Sequence, residues 1–197
     1  MYAFVKSYMT QVPAGTSRRV GTVHARWVDN MRANTSYVSK GPVSQLVLPP
    51  STSKAQTPPT PIPNGYYIDR LALRDLPRVV ETSKEPRTNA YTLSRFAYSI
   101  CIRAAGTDLP VAWGFLHADC SIGILFVEPE HRGKRLAKAV VEHLPTHCGR
   151  DTTGGWKFAN VVTGNVEGSG LFGALPGWKH VWDTFWMTFI PVEEWKD

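Results

Sequence analysis

The sequence predicts a mixed α/β fold in which helices flank a mostly antiparallel sheet. Three observations support this prediction. Short segments rich in β-branched or alternating apolar residues recur between turn residues. One of them, 121–127, is almost continuously apolar, as expected for a central strand covered on both faces. By contrast, 136–144 places Leu136, Val140 and Leu144 on one face at helical spacing.

Before residue 49, the segments 20–28 and 43–48 are predicted strands because β-branched residues there are bounded by Gly, Pro and Asn. Beyond residue 65 the order is strand, helix, three strands, helix, strand, helix, strand. Pro77 suits the first turn of the first of these helices. The predicted segments are 66–71, 76–83, 98–104, 111–117, 121–127, 136–144, 156–162, 166–175 and 180–190.

A proline-rich segment divides the chain. Residues 49–64 contain six prolines, which remove backbone donors and favour extended backbone, so they are predicted to form a linker. Residues 1–48 are few for a self-sufficient domain and are interpreted as a small β-rich N-terminal arm or partial domain. Residues 65–197 form the main predicted domain.

Composition excludes several classes of protein. A chain of 197 residues that is 43 % hydrophobic can bury a core, so wholesale disorder is excluded. No stretch approaches the roughly 18 apolar residues of a membrane span. The N-terminus lacks the pattern of a signal peptide. Cys101, Cys120 and Cys148 are scattered, which favours a reducing location, and we expect a cytoplasmic protein without membrane partners.

Positive charge is concentrated in one place. The chain has 22 Lys and Arg against 16 Asp and Glu, a net charge of +6, which suits an anionic partner. Four of these positive charges lie within 132–138, and this focus favours one polyanionic ligand over nucleic acid. His143 and His147 have metal-capable spacing, but no third ligand lies nearby in sequence, so no metal site is predicted.

The stretch 124–141 has the features of a phosphate site. A predicted strand ends at Val127, and a basic turn then leads directly into a helix. The N-terminus of a helix offers unpaired N–H groups and partial positive charge to an anion. Gly133 would let the backbone approach a phosphate, and neighbouring Arg and Lys side chains would add donors. The alternative is a junction whose basic side chains are merely solvated.

At these residues the chain resembles the GCN5-related N-acetyltransferase (GNAT) superfamily. The stretch VEPEHRGKRLAKAVVEHL is similar to its acyl-CoA signature, with Arg135 where the family usually has Gly. The stretch GNVEGSGLFGALPGW, from 164 to 178, is similar to a second family motif. The resemblance covers about residues 64–190. It implies a GNAT fold, with acetyl-CoA or another acyl-CoA as co-substrate and a small amine as acceptor.

The resemblance also implies which residues bind the co-substrate. Strands 121–127 and 156–162 would separate to admit the pantetheine arm. The backbone N–H near Val127 would face the thioester carbonyl. The expected cofactor-binding residues are Phe126, Val127, Arg132, Gly133, Lys134, Arg135, Leu136, Ala137, Asn165 and Ser169.

Within the superfamily, the stretch 111–137 is similar to the glycine N-acyltransferase-like branch, in which a degenerate half precedes the core. Residues 1–48 would correspond to that half. The branch places a Glu near the position of Ser121, and because that carboxylate is absent here, no base is obvious. The candidates are Asp119, His117 and Glu128. For Asp119 the competing interpretation is a residue that caps its own turn, and for His117 a strand-end histidine without chemistry.

Relatives often protonate the leaving thiolate with a Tyr in the helix after the Asn, but Phe172 or Gly173 stands there. Three interpretations therefore remain. The first is an N-acyltransferase that moves an acyl group directly from CoA to a small amine. The second is a catalytically silent module that binds acyl-CoA. The third is a GNAT-fold enzyme with other acyl-CoA chemistry, either O-acylation or hydrolysis.

Overall fold

The computed structural model describes residues 18–32, 37–50, 58–85, 87–147 and 155–189. The strands in these ranges are β1 Arg18–His24, β2 Tyr37–Leu48, β3 Tyr66–Asp69, β4 Ser99–Ala104, β5 Pro110–Leu116, β6 Ile122–Val127, β7 Lys157–Val162 and β8 Lys179–Phe189. The α-helices are α1 Val28–Arg32, α2 Leu76–Glu81, α3 Asn89–Ser94, α4 Leu136–His147 and α5 Val166–Ala174. Among the described residues, no helix has the length and apolarity needed to traverse a bilayer.

The strands and helices confirm the mixed α/β class, and the chain forms two compact units that are discontinuous in sequence. The larger unit comprises Val47–Ala159 and Leu171–Trp178. The smaller unit comprises the described residues up to Leu46, together with Asn160–Gly170 and the chain from Lys179. The predicted division of the chain into an N-terminal arm, a linker at residues 49–64 and a main domain stays a prediction.

In the larger unit the strand order is β7-β6-β5-β4-β3. Neighbours in β3 to β6 run antiparallel, whereas β6 and β7 run parallel. The register between β6 and β7 pairs Ile122 with Ala159, at the N-terminal end of β6. Strand β6 ends at Val127, which is the first residue of the predicted signature.

Both faces of this sheet are buried by helices. One face carries a cluster of Leu71, Val79, Cys101, Trp113 and Phe115, against which Phe96, Ile124 and Phe126 pack. On the other face, α4 packs against β4, β5 and β6. A Cβ on Gly114 would lie 2.7 Å from Val140 Cγ1, so the absence of a side chain there lets α4 approach closely.

A buried guanidinium joins β3, β4 and the start of α2. Arg103 is fully buried, and its Nε donates to Asp69 Oδ2 at 2.6 Å. Its Nη2 donates to Asp75 Oδ2 at 2.8 Å and to the carbonyl of Arg70 at 3.0 Å. Its Nη1 donates to the carbonyl of Asp108 at 2.9 Å. A desolvated cation is tolerated because carboxylates and carbonyls satisfy all three of its nitrogens.

In the smaller unit, β1 pairs antiparallel with β8, and the strand order is β1-β8-β2 followed by residues 160–162, the part of β7 that belongs to this unit. Thr163 on the turn after β7 donates both its N–H and its hydroxyl to the carbonyl of Pro42 in β2. The core of this unit contains Val23, Val28, Met31, Met187 and Phe189.

Two features of the N-terminal half of the chain differ from the sequence prediction. The predicted strand 20–28 is wrong beyond His24, where a 3-10 turn leads into α1. The ring of His24 accepts a hydrogen bond from the N–H of Arg26 and so begins the turn. Val28 and Met31 then bury themselves at i, i+3 spacing, which is helical. Helix α3 was not predicted at all, although Thr88 caps it by accepting from the N–H of Tyr91.

Part of the predicted linker packs on the larger unit. The N–H of Thr60 donates to Glu142 Oε2 at 2.7 Å, and the carbonyl of Thr60 lies 3.0 Å from His143 Nε2. Both partners lie on α4. Residues 51–57 of the linker lie outside the described residues.

We predict that Arg103→Met lowers the free energy of unfolding by about 3–5 kcal/mol, because Asp75 would be left buried without its cation. Urea denaturation of both proteins measures this change. Arg74→Met is the matched control, since Arg74 and Asp108 form an exposed pair with side chains 63 % and 60 % accessible. Its expected cost is at most about 1 kcal/mol. Equal losses in the two variants would contradict the assigned role of Arg103.

Candidate functional site

Strand β6 contains a bulge halfway along its pairing with β5. Phe115 pairs with Gly123 and Trp113 pairs with Phe126, so Ile124 and Leu125 together oppose Gly114. Ile124 has φ +50°, which is an uncommon conformation for a β-branched residue. Such strain persists where the surrounding packing enforces it, and it clusters at functional sites. The bulge therefore marks β6 as a candidate site independently of any motif.

Beyond the bulge, the backbone of Val127 points away from β5. The N–H of Glu128 donates to the carbonyl of Val111 at 2.8 Å, which makes those two residues a hydrogen-bonded antiparallel pair. Val127, which pairs with Ala112, is then a non-hydrogen-bonded position, and its N–H points to the opposite edge of β6. That is the direction in which a backbone donor for a ligand is available.

The turn after β6 has two residues with left-handed backbone immediately before α4. Gly133 has φ +76° and Arg135 has φ +61°. A Cβ on Gly133 would meet no protein atom within 4 Å, so the space beside it is open. Arg135 takes the conformation that glycine adopts most readily, at the position where the GNAT signature usually has glycine.

Two of the basic side chains of this turn are held by hydrogen bonds. Lys134 Nζ donates to Tyr66 Oη at 2.9 Å and to the carbonyl of Glu130 at 3.4 Å. The same Tyr66 hydroxyl lies 2.8 Å from His131 Nδ1. Arg132 Nε donates to the carbonyl of Val127 at 3.3 Å. Tyr66 at the start of β3 thus fixes the turn, and sequence analysis gave no indication of this contact.

Glu128, a predicted catalytic base, forms an ion pair with α2. Arg78 Nε and Nη2 donate to the two carboxylate oxygens of Glu128 at 2.7 and 2.6 Å. Arg78 also pairs with Glu81, and these carboxylates together raise the pKa of its guanidinium. The Glu128 carboxylate is only 14 % exposed. Its geometry is that of a fixed anion that ties the end of β6 to α2.

A cleft of about 410 Å³ borders this ion pair. It is lined by Arg74, Arg78, Val111, Glu128 and His131 among others. Both of its arginines already pair with carboxylates, Arg74 with Asp108 and Arg78 with Glu128. The cleft therefore offers no unneutralised cation from these two side chains.

His117, another predicted base, lies directly over β6. A Cβ built on Gly123 would be 2.1 Å from His117 Nε2, so the ring occupies the space that a side chain at 123 would take. His117 Nδ1 is 2.6 Å from Tyr91 Oη on α3. Arg95 fixes the backbone below the ring by donating to the carbonyls of Leu116 and His117.

The surroundings of His117 favour its neutral form. Burial, and then the charge of Arg87, lower its pKa to about 4, and Asp119 opposes the shift. Near neutral pH the imidazole therefore has one unprotonated ring nitrogen. The lowered pKa also makes this ring a weaker base than an ordinary histidine, so it takes up a proton only from a strongly acidic group.

Asp119 caps its own turn, which is the competing interpretation given above. Its Oδ1 accepts from the N–H of Ser121 at 3.0 Å and from the Ser121 hydroxyl at 2.7 Å. This pattern is an Asx turn at the tip of the β5–β6 hairpin. Ser121 stands where the glycine N-acyltransferase-like branch has Glu, and its hydroxyl is taken up by this hydrogen bond within the hairpin.

Two of the predicted cofactor-binding residues, Phe126 and Leu136, have side chains packed within the fold. Phe126 stacks on Trp113 with ring centroids 5.0 Å apart. Leu136 is buried, and Ala137 is partly buried. What Phe126 and Leu136 can offer a ligand is their backbone, whereas Arg132 and Arg135 have exposed side chains.

The second motif begins with a capped helix, α5, whose residues up to Gly170 belong to the smaller unit. Asn165 Oδ1 accepts from the N–H of Gly168 at 3.1 Å, and the carbonyl of Asn165 accepts from the N–H of Ser169 at 2.9 Å. Asn165 is the N-cap of α5, and Ser169 is exposed on that helix. Their expected role in cofactor binding stays a prediction.

Sequence analysis missed Tyr91 and Arg87, which lie beside His117. The guanidinium of Arg87 lies 5.4 Å from the ring centroid of Tyr91, and its Nε is buried without a hydrogen-bond partner among the described residues. Only the capping residue Thr88 marks this helix in the sequence. Among the described residues, no group of three His, Cys, Asp or Glu side chains is placed to hold a metal ion.

We predict a pH-dependent stability difference between the wild type and His117→Gln. Between the ordinary pKa of 6.5 and the lowered value of about 4, unfolding takes up a proton at His117, so acid destabilises the wild type. From pH 7 to pH 5 the wild type should lose about 2 kcal/mol more than the variant. Urea denaturation at both pH values measures this, and parallel pH dependences would disprove burial of a neutral His117.

Comparison with known proteins supports the fold assignment. No family model and no curated protein matches the chain. Among solved structures, a Drosophila protein aligns with TM-score 0.70 at 16 % identity, over 89 % of this chain and 61 % of its own. A GCN5-related N-acetyltransferase from Sphaerobacter thermophilus aligns with TM-score 0.57 at 16 % identity, over 95 % of this chain and 64 % of its own.

A tandem GNAT protein from the clavulanic acid biosynthesis pathway aligns with TM-score 0.57 at 13 % identity, over 90 % of this chain and 64 % of its own. The chain thus spans less than two thirds of the length of each of these three proteins. At such low identity the alignments establish shared architecture and not shared chemistry. The fold of this chain is that of the GCN5-related N-acetyltransferases.

Proposed function

We propose that this chain is a member of the GNAT superfamily and acts as an acyl-CoA-dependent N-acyltransferase. It would move an acyl group, most simply acetyl, directly from CoA to a small amine. Kinship with the glycine N-acyltransferase-like branch belongs to the same proposal. The shared fold supports it in general terms, and the geometry around β6 supports it in particular.

The observation that carries the proposal is the conformation of the turn between β6 and α4. Gly133 and Arg135 both have positive φ, and the helix begins at Leu136. Positive-φ residues before a helix turn successive backbone N–H groups towards one point, where an anion can bind. The open space beside Gly133 fits the pyrophosphate of CoA. Arg132, Lys134 and Arg135 would supply positive charge.

The thioester would lie beside β6, where the N–H of Val127 points away from β5. Bound acyl-CoA supplies an activated acyl group. The chain contributes a fixed backbone donor, which would polarise the carbonyl of that group. Asn165 and Ser169 stay proposed cofactor-binding residues on the sequence resemblance alone.

Of the three predicted bases, His117 fits its role best. Asp119 accepts two hydrogen bonds within its own turn, and Glu128 is paired with Arg78 through both oxygens. His117 is neutral near pH 7 because burial lowers its pKa to about 4. The acceptor would attack as the neutral amine. Its nitrogen becomes far more acidic as it bonds to the carbonyl carbon, and His117 would take the proton that it then loses, directly or through water.

We predict that Gly133→Asp abolishes binding of acetyl-CoA, because a carboxylate would then face the pyrophosphate. Calorimetric titration with acetyl-CoA, CoA and 3′-dephospho-CoA measures this. Gly106→Asp is a matched control, since Gly106 also has positive φ, at +85°, and nothing within 4 Å of a Cβ. Both variants introduce the same residue into a left-handed conformation, and only Gly133 lies at the proposed site.

The wild type should bind acyl-CoA, and release of free thiol should require an added amine. Binding without thiol release would indicate the silent module. Thiol release without amine would indicate hydrolysis. Unchanged affinity in the Gly133→Asp variant, or no binding by the wild type, would overturn the proposed function.

We predict that His117→Gln lowers kcat by roughly 100-fold, the usual contribution of a general base. Asp119→Asn should leave kcat within about twofold of the wild type, because an amide oxygen can still cap the turn. Glu128→Gln should act mainly on KM for acyl-CoA, since it weakens the attachment of β6 to α2. Steady-state kinetics over a series of amines separates these effects. A large loss of kcat in Asp119→Asn alone would assign the base to Asp119 instead.

A further inference from the structure

The hydrogen bond between Tyr91 and His117 joins two elements that are distant in sequence. Tyr91 lies on α3, whereas His117 lies at the end of β5, 26 residues further along the chain. Their atoms Oη and Nδ1 are 2.6 Å apart, and the ring centroids are 6.0 Å apart at 31°. A contact this short uses Nδ1, so Nε2 is the ring nitrogen left for other partners.

His117 Nε2 has a defined position over β6. It fills the place where a Cβ at Gly123 would be, one residue before the strained Ile124. The backbone beneath the ring is fixed as well, because Arg95 binds the carbonyl of His117 and the N–H of His117 donates to the carbonyl of Ser121. The position of the ring is therefore set by its backbone and by the contact at Nδ1, and Nε2 lies on the side that faces Gly123.

We propose that Tyr91 is a positioning residue for His117. Its oxygen accepts the Nδ1 proton, which leaves the Nε2 lone pair over Gly123 as the atom that takes the proton of the acceptor amine. The inference rests on the proposed acyl transfer, and it deepens that proposal by assigning the basic atom and the residue that orients it. The protons balance as follows: Nε2 gains the proton that the amine nitrogen loses once it has bonded to the carbonyl carbon, that nitrogen is left neutral, and Nδ1 keeps its own proton in the hydrogen bond to Tyr91 Oη.

The charged and titratable groups that face this ring come from both sides. Arg87, Tyr91 and Arg95 approach from α3 and its flanking residues, and Asp119 approaches from the hairpin. Burial, together with two cations against one carboxylate, lowers the pKa of the ring and favours its neutral form. The Tyr91 hydroxyl can accept a hydrogen bond from Nδ1 or donate one to it, and the proposed tautomer is the one in which it accepts.

The test combines nitrogen NMR with kinetics on the full chain. Nitrogen-15 shifts of the His117 ring near pH 7 report which nitrogen carries the proton. We expect Nδ1 protonated and Nε2 unprotonated in the wild type, and a mixture of tautomers in Tyr91→Phe. Nε2 found protonated in the wild type would overturn the inference, whatever the activity.

In kinetics, Tyr91→Phe should lower kcat about tenfold and leave KM for acyl-CoA within about twofold. Tyr67→Phe is the matched control, because Tyr67 also loses one hydrogen bond from its hydroxyl, to Asp108 at 2.6 Å, and should keep its activity. In a His117→Gln background, Tyr91→Phe should cause no further loss, since its effect passes through His117.

A full additional tenfold loss in that background would show that Tyr91 acts independently of His117 and would overturn the inference. The NMR result also separates this inference from the proposed function. If the wild type released no thiol with any amine, the proposed acyl transfer would be rejected. The expected tautomer, and its loss in Tyr91→Phe, would still support Tyr91 as the residue that sets the ring.

Discussion

The extra residue in β6 is the constraint on which the candidate site depends. Ile124 and Leu125 together oppose Gly114. Beyond them, the alternation of hydrogen-bonded and non-hydrogen-bonded positions along β6 is therefore shifted by one residue relative to β5. Without the bulge, the alternation of hydrogen bonding would turn the backbone N–H of Val127 towards β5. The bulge also ends the segment that carries Gly123, over which His117 packs. One backbone irregularity thus sets both the direction of the proposed carbonyl donor and the place of the proposed base.

Around this strand, the larger unit uses ion pairs and hydrogen bonds where apolar packing alone would leave the loops loose. Arg103 is buried among carboxylates and carbonyls and joins β3, β4 and the start of α2. Arg78 then connects α2 to Glu128 at the end of β6. Tyr66, on the edge strand β3, holds Lys134 in the turn. Together these contacts fix the signature turn from two sides, which is the preorganisation that anion binding by backbone groups requires.

Local patterns in the sequence were sufficient for most of the fold. Strands β4 to β8 and helix α4 were predicted because alternation, continuous apolar runs and helical spacing record burial directly. Helix α3 was not predicted because its six residues are too few to show a helical period of apolar residues. The bulge was not predicted because Ile124 and Leu125 are ordinary strand residues. Nothing in an apolar run shows where an extra residue interrupts the pairing of two strands. Contacts such as that of Tyr91 with His117 depend on tertiary structure. The sequence could therefore supply the candidates for the catalytic base, but it could not show which of them are already held in other hydrogen bonds or ion pairs.

The packing of His117 on Gly123 has a consequence for how this protein could have changed over time. A side chain at 123 and an imidazole at 117 cannot occupy the same space, since the separation would be 2.1 Å. With the His117 ring where it lies, a side chain at 123 would have to displace it, and a displaced ring would lose its contact with Tyr91. Substitutions at 117 and 123 are therefore coupled: a side chain at 123 is tolerated best where residue 117 is small or its ring has turned away.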